Sequence, residues 1–230
     1  MKRRRTSKTR LKTVRKTQVQ RRNETQGAIL AASLRLLAEH GYARFSASRV
    51  AAMAGVSRGA QEHYYPTKNK LIAAATRFAM TEAVRHTRAL AQTAAKSADP
   101  IAKFLTDSEH FFFTPVFRAM AEIMIAGRSD RALARIVNPI VLDARQVLNG
   151  IWTDTLGAAG YPRESAQQFI ELTHYLLRGV FFVSNWLPYQ IDRSEIVDAW
   201  RRVAPAMLQL SAVGRRTKSA RTRRRGQPAP

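Results

Sequence analysis

A chain of 230 residues that is 45% hydrophobic is long enough to bury a core, and none of its apolar runs approaches the roughly 18 residues of a membrane span. It has no cysteine, which excludes a disulfide framework, a thiolate metal site and a cysteine nucleophile. The net charge of +23 is concentrated at the ends: residues 1–22 hold eleven Lys and Arg, residues 214–230 hold seven, and neither stretch has an acid, which leaves +5 for residues 23–213.

The two basic ends lack apolar periodicity and repel themselves, so they read as disordered arms, with a polyanion as natural partner. Neither has Trp or Phe, and the lone Leu11 forms no apolar face, so a membrane surface is not the expected partner. No apolar stretch follows the basic N-terminus, and a cytoplasmic location is expected.

From Ala28 the pattern turns helical, with Ile29, Ala32, Leu36 and Leu37 on one stripe, and Gly41 ends it. Ser46 caps a second, short helix whose Val50 and Met53 face inward and which stops at Gly55. Ser57 caps a third, closed after Tyr64 by Pro66. Thr67 starts a long fourth helix carrying Leu71, Ile72, Ala75 and Phe78 to about Ala94. Asp99-Pro100, Thr114-Pro115 and Tyr161-Pro162 each place proline at a first helical turn. Ser129 or Asp130 caps another helix running to Trp152, and the last spans about Ser194 to Ser211. The expectation is an all-α fold of about nine helices: a DNA-binding head (residues 23–82) on a larger helical body (83–213), flanked by the arms 1–22 and 214–230.

The segment from Phe45 to Leu71 holds a capped helix, a glycine turn, a second cap and a short helix with a polar outer face, the parts of a helix-turn-helix in order. Val50, Met53 and Val56 are expected to pack on the first helix through Ala32 and Leu36. Together, AILAASLRLLAEHGY, SASRVAAMAGVSRGAQEHYYPTKNKL and the spacing between them resemble the TetR family over roughly residues 22–82. The resemblance implies a homodimer that binds double-stranded DNA at a palindromic operator, commonly as a repressor released by a small-molecule effector.

Carried over by position, the resemblance assigns DNA contact to Ser46, Ser48 and Arg49 on the second helix, and to Ser57, Arg58, Gly59, Ala60, Gln61 and His63 on the recognition helix. Arg58 and Gln61 are its candidates for base edges, Gly59 and Ala60 for close approach, and Tyr64 and Lys68 for phosphate; Tyr65 packs inward. Glu62 departs from the pattern and must either read a cytosine amino group or turn away from DNA. Tyr64 in place of the usual His leaves the contact there open.

Gly55-Val56-Ser57-Arg58-Gly59 also matches the G-x-S-x-G nucleophile elbow, but the Ala-rich stretch before Ser57 has helical spacing, whereas the elbow needs a strand. His40, His63, His86, His110 and His174 are scattered without i, i+4 pairs, so no metal, cofactor or catalysis is expected. Non-specific nucleic-acid binding by the tails is the other alternative, distinguished by steep salt dependence without sequence preference.

The body is rich in aromatic and sulfur side chains. Phe113, Phe117, Met120, Met124, Trp152, His174 and Arg178 are candidates to line a pocket for a hydrophobic or aromatic effector, with Arg178 suited to an anionic group. The last two long helices are apolar on more than one stripe and need a second surface. In the family the equivalent pair forms the dimer interface. This suggests Phe169, Thr173, Leu176, Gly179, Val180 and Val183 on one helix, with Trp200, Val203, Met207 and Leu210 on the other.

Overall fold

The computed structural model describes residues 17–186 and 192–224, with side chains described to residue 185 and from 192 to 208. Its described residues form nine helices: α1 (Gln18–His40), α2 (Ala47–Ala54), α3 (Arg58–Tyr64), α4 (Lys68–Ala94), α5 (Pro100–Phe112), α6 (Pro115–Ala126), α7 (Arg131–Ala158), α8 (Arg163–Trp186) and α9 (Arg193–Arg224). None of these helices is long and apolar enough to cross a membrane.

Cap chemistry sets most of the starts. Ser46, Ser57, Thr67, Asp99, Thr114 and Asp130 each accept a hydrogen bond from a backbone N–H in the first turn of the helix that follows, satisfying a donor with no partner inside the helix. Two boundaries differ from expectation. α1 begins ten residues before Ala28, because Thr17 and Gln20 exchange side-chain hydrogen bonds with each other's backbone; residues 18–22 therefore belong to the first helix. At the other end the α9 backbone stays helical to Arg224, so residues 214–224 are not irregular; residues 1–16 and 225–230 of the expected arms lie outside the described residues.

Three apolar clusters organise the packing. The largest joins Ile29, Leu36 and Leu37 of α1, Val50 of α2 and Leu71 and Ile72 of α4 to Met120 and Ile123 of α6 and Leu133 and Val137 of α7. Head and body thus share one core, and residue 82 falls inside α4 rather than between two cores. A second cluster gathers Phe104, Trp152, Phe169 and Leu208 from α5, α7, α8 and α9. The third holds Phe112, Phe117, Leu177, Phe181 and Val197.

At the seam, Gly41 closes α1 with φ +72°, and a Cβ there would sit 2.8 Å from Glu122 Oε2. That carboxylate accepts the Tyr42 N–H at 3.1 Å, while the Tyr42 hydroxyl donates to Asp130 Oδ2 at 3.0 Å. The end of α1 is in this way tied to α6 and to the cap of α7.

Candidate nucleic-acid interface

The helix-turn-helix is built locally before it meets anything else. The Ser46 hydroxyl accepts from Arg49 N (3.4 Å), Gly55 ends α2 in the left-handed conformation that favours glycine, Val56 N returns to Ala51 O (3.0 Å), and the Ser57 hydroxyl accepts from Ala60 N (3.1 Å). Val50 is fully buried, Met53 and Val56 pack on the same cluster as Ala32 and Leu36, and the angle between α2 and α3 is fixed.

Ser46, Ser48, Arg49, Ser57, Arg58, Gly59, Glu62 and His63 are exposed, and Ala60 is half-buried. A Cβ at Gly59 would meet no atom of the protein, so internal packing does not demand glycine at this position. Arg58 Nε and Glu62 Oε1 pair at 2.7 Å across one turn. Glu62 therefore does not project as a bare negative charge: it is held by the Arg58 guanidinium, whose pKa its hydrogen bond and charge raise.

Three expected positions change character. Gln61 is buried, with its amide donating to the Tyr65 carbonyl at 2.9 Å, so it closes α3 rather than facing base edges. Lys68 points back at the α1–α2 loop: its Nζ donates to Tyr42 O (3.3 Å) and lies 3.7 Å from the centre of the Tyr42 ring. Burial lowers the Lys68 pKa, and nearby Asp130 works against that. Tyr64 is half-buried against the main cluster, with Arg22 6.0 Å from its ring centre. Tyr65 packs inward as expected, and burial raises its phenol pKa.

Two further basic groups join this face. Arg44 is exposed in the loop before α2, where its carbonyl accepts from Arg49 Nη1 (3.1 Å), and Arg22 stands on α1 beside Tyr64. Both were hidden in sequence, Arg44 as an isolated loop residue and Arg22 among the arm's other basic residues. The residues before Ser57 form a helix and a turn, not a strand, so the geometry of a nucleophile elbow is missing there.

The family of bacterial regulatory proteins called the tetR family matches residues 29–75, the span from α1 to the first turns of α4. The chain is similar to the HTH-type transcriptional regulator CymR of Pseudomonas putida, 34% identical over 172 residues that cover 75% of this chain and 85% of CymR. The chain belongs to the TetR family. An HTH-type transcriptional regulator of Mycobacterium bovis is 28% identical over 75% of this chain and 89% of its own length. The fold matches that of a TetR-family transcriptional regulator from Mesorhizobium loti, with a TM-score of 0.66 and 11% identity over 83% of this chain and 98% of the other. As a TetR-family protein the chain is a DNA-binding transcriptional regulator, and regulators of this family act as dimers.

The body of this TetR protein holds a small cavity of about 80 Å³ between α4, α5, α6, α7 and α8. Phe117, Met120, Met124, Trp152, His174 and Arg178 all line it. Phe113 does not; it follows the last residue of α5 and packs against Phe181, its ring centre 4.4 Å from the Arg193 guanidinium. Sequence reading missed Phe111, Phe112, Met80, Asp107, Arg145 and Asn149 in the lining, because their approach depends on helix crossings and not on local pattern. Asp107 is buried and accepts from Thr87 (2.8 Å) and from the Trp152 indole (2.7 Å). Burial, reinforced by the charges of Arg178 and Arg145, pushes the His174 pKa down to about 3, so this imidazole is neutral at physiological pH.

The outer face of α8 is displaced from the expected stripe. Phe169, Thr173 and Val180 are buried within the chain; Phe169 stacks on Trp200, whose indole donates to the Thr173 hydroxyl at 2.7 Å. Met207 packs on the second cluster, Leu176 and Val183 are half-buried, and the Leu210 side chain lies outside the described residues. Leu172, Tyr175 and Phe182 are instead the outward apolar residues of α8, at 48%, 56% and 38% exposure, with Gly179 between them and Val203 of α9 at 51%.

Proposed function

We propose that the chain is a homodimeric repressor that holds a palindromic operator through two copies of α3 and releases it when a small, largely apolar effector fills the body cavity. The observation that carries this reading is the position of α6. Phe117, Met120 and Met124 present one side of this helix to the cavity, while Glu122, between two of them, accepts the Tyr42 N–H at the base of the head. A ligand that displaces α6 acts on the α1–α2 junction through that bond. α4 offers a parallel route, since Met80 and Thr87 line the same cavity and Lys68 at its start holds the Tyr42 carbonyl.

On DNA, Arg58 is the base-reading cation, Gly59 and Ala60 allow close approach, and His63, Ser46, Ser48, Arg49 and Ser57 complete the contact surface, with Tyr64 at its edge. The exposed stripe of Leu172, Tyr175, Gly179 and Phe182 with Val203 forms the dimer contact, because an apolar face of this length needs a partner surface. Two half-sites must be met at once, roughly 34–36 Å apart or a multiple of it, so a small change of head spacing costs much affinity. The protein acts in the cytoplasm, at the chromosome.

Selection of bound duplexes from a randomised pool by purified full-length protein tests this. An inverted repeat is the expected result; recovery of unrelated sequences with steep salt dependence would leave only tail-driven, non-specific binding.

A further inference from the structure

Resting on the reading of the body cavity as an effector site, we infer that its ligand is a compact hydrophobic monocarboxylate, whose carboxylate is taken by Arg145 and Arg178. Both guanidiniums belong to the cavity lining, one from α7 and one from α8, and both residues are half-buried. Among the described residues neither has an acid partner. Arg145 reaches the Tyr175 hydroxyl at 3.5 Å and lies 5.6 Å from that ring centre, and Arg178 lies 5.3 Å from the Phe112 ring centre and 5.7 Å from that of Tyr175. Aromatic faces are a weak substitute for a carboxylate counterion.

The charge balance sets the valence of the ligand. Asp107 is the only acid in the lining, and its Oδ2 already takes the Thr87 and Trp152 donors, with His86 3.6 Å from Oδ1. His174 lies beside the two arginines and is neutral, and burial, followed by the charge of Arg145, lowers the Arg178 pKa. The lining therefore carries one positive charge in excess, and one carboxylate cancels it. A planar carboxylate also matches the guanidinium fork. The rest of the ligand meets Phe111, Phe117, Met120, Met124, Val141 and Leu148, which offer apolar surface alone. Asn149, whose Oδ1 is buried without a donor, supplies a further polar position.

The test is titration calorimetry on the full-length protein with benzoate, phenylacetate and octanoate, each beside its neutral primary amide, which keeps the shape and removes the charge. At least one acid is expected to bind tenfold or more tighter than its amide. Arg145→Gln and Arg178→Gln should each weaken that acid tenfold or more without affecting the amide, Arg178→Lys should recover part of the loss, and the surface change Arg135→Gln should have no effect. Neither glutamine variant is expected to melt below the wild type, because neither guanidinium has an acid partner to lose and burial already disfavours the Arg178 charge. Amides that bind as well as acids, no acid binding at millimolar concentration, or full affinity in both glutamine variants would overturn the assignment; the first two comparisons need only the wild-type chain. Such a failure leaves operator selection by the unliganded protein intact, whereas loss of sequence selection with acid binding preserved would remove the regulatory reading instead.

Discussion

Tyr42 donates its phenolic hydrogen to Asp130 at 3.0 Å while its ring carries the Lys68 ammonium, so one side chain joins the DNA-binding head to both α4 and α7. Burial and the Asp130 carboxylate raise the Tyr42 pKa, so the hydroxyl stays a donor through the physiological range. Tyr42→Phe keeps the ring and removes the donor. The expected result is a melting temperature lower by roughly 2–4 °C, the size of one ordinary hydrogen bond in a domain of this length. Operator affinity without effector should be nearly unchanged, and effector-induced release should weaken, as read by fluorescence anisotropy of a labelled operator.

Gln61→Ala separates a structural role from a reading role. With the amide gone, the Tyr65 carbonyl loses its donor and α3 its closing contact, at a cost of about 1–3 kcal/mol. Urea denaturation should show that loss, while the base preferences of the remaining bound fraction stay those of the wild type. A relaxed consensus at full stability would return Gln61 to the base-reading set.

Arg58 and Glu62 form a pair that any DNA contact by Arg58 must rearrange. Arg58→Ala should relax the operator consensus at one or two positions in each half-site. Glu62→Gln frees the cation and should raise affinity for unrelated duplex more than for the operator, narrowing the ratio between them. Equal effects on both duplexes would mean that Arg58 touches only the backbone.

His174 makes stability depend on pH. Its folded pKa is depressed from 6.5 to about 3, so between those values the unfolded chain binds the extra proton, and stability falls as pH drops below 6.5. The slope from this group approaches about 1.4 kcal/mol per pH unit. Urea midpoints at pH 7 and pH 5 should fall further apart in the wild type than in His174→Gln; identical differences would show that the imidazole is solvated.

The α8 face is tested by charge. Tyr175→Glu or Leu172→Arg should give monomers by sedimentation at micromolar concentration and abolish binding to a two-half-site operator. Phe169→Ala acts on the core instead and should cost about 3–5 kcal/mol of stability, because that ring is fully buried between Phe104 and Trp200.

Cap chemistry made the helix starts readable, since Ser46, Ser57, Thr67, Asp99 and Thr114 act on the turn that follows them in sequence. The Thr17–Gln20 box was equally local, yet the surrounding basic residues obscured it. The inward face of α8 was not legible, because apolar residues occupy adjacent stripes there and a shift of one residue turns a helix by about 100°. Burial of Gln61 followed the same logic: on a two-turn helix, a polar residue that satisfies a carbonyl looks like a solvated one until its neighbours are in place. The arginine pair was out of reach because Arg145 and Arg178 lie on different helices and meet only through the crossing of α7 and α8.

The continuity of the main cluster from α1 through α6 and α7 has a practical consequence for anyone building biosensors from this scaffold. A foreign reading module grafted at residue 82 would inherit half of a dry, interlocked boundary and leave Met120, Ile123, Leu133 and Val137 facing unmatched neighbours. Retargeting is better done by altering α3 alone, and any successful chimera must carry α6 and the first turns of α7 along with its new head.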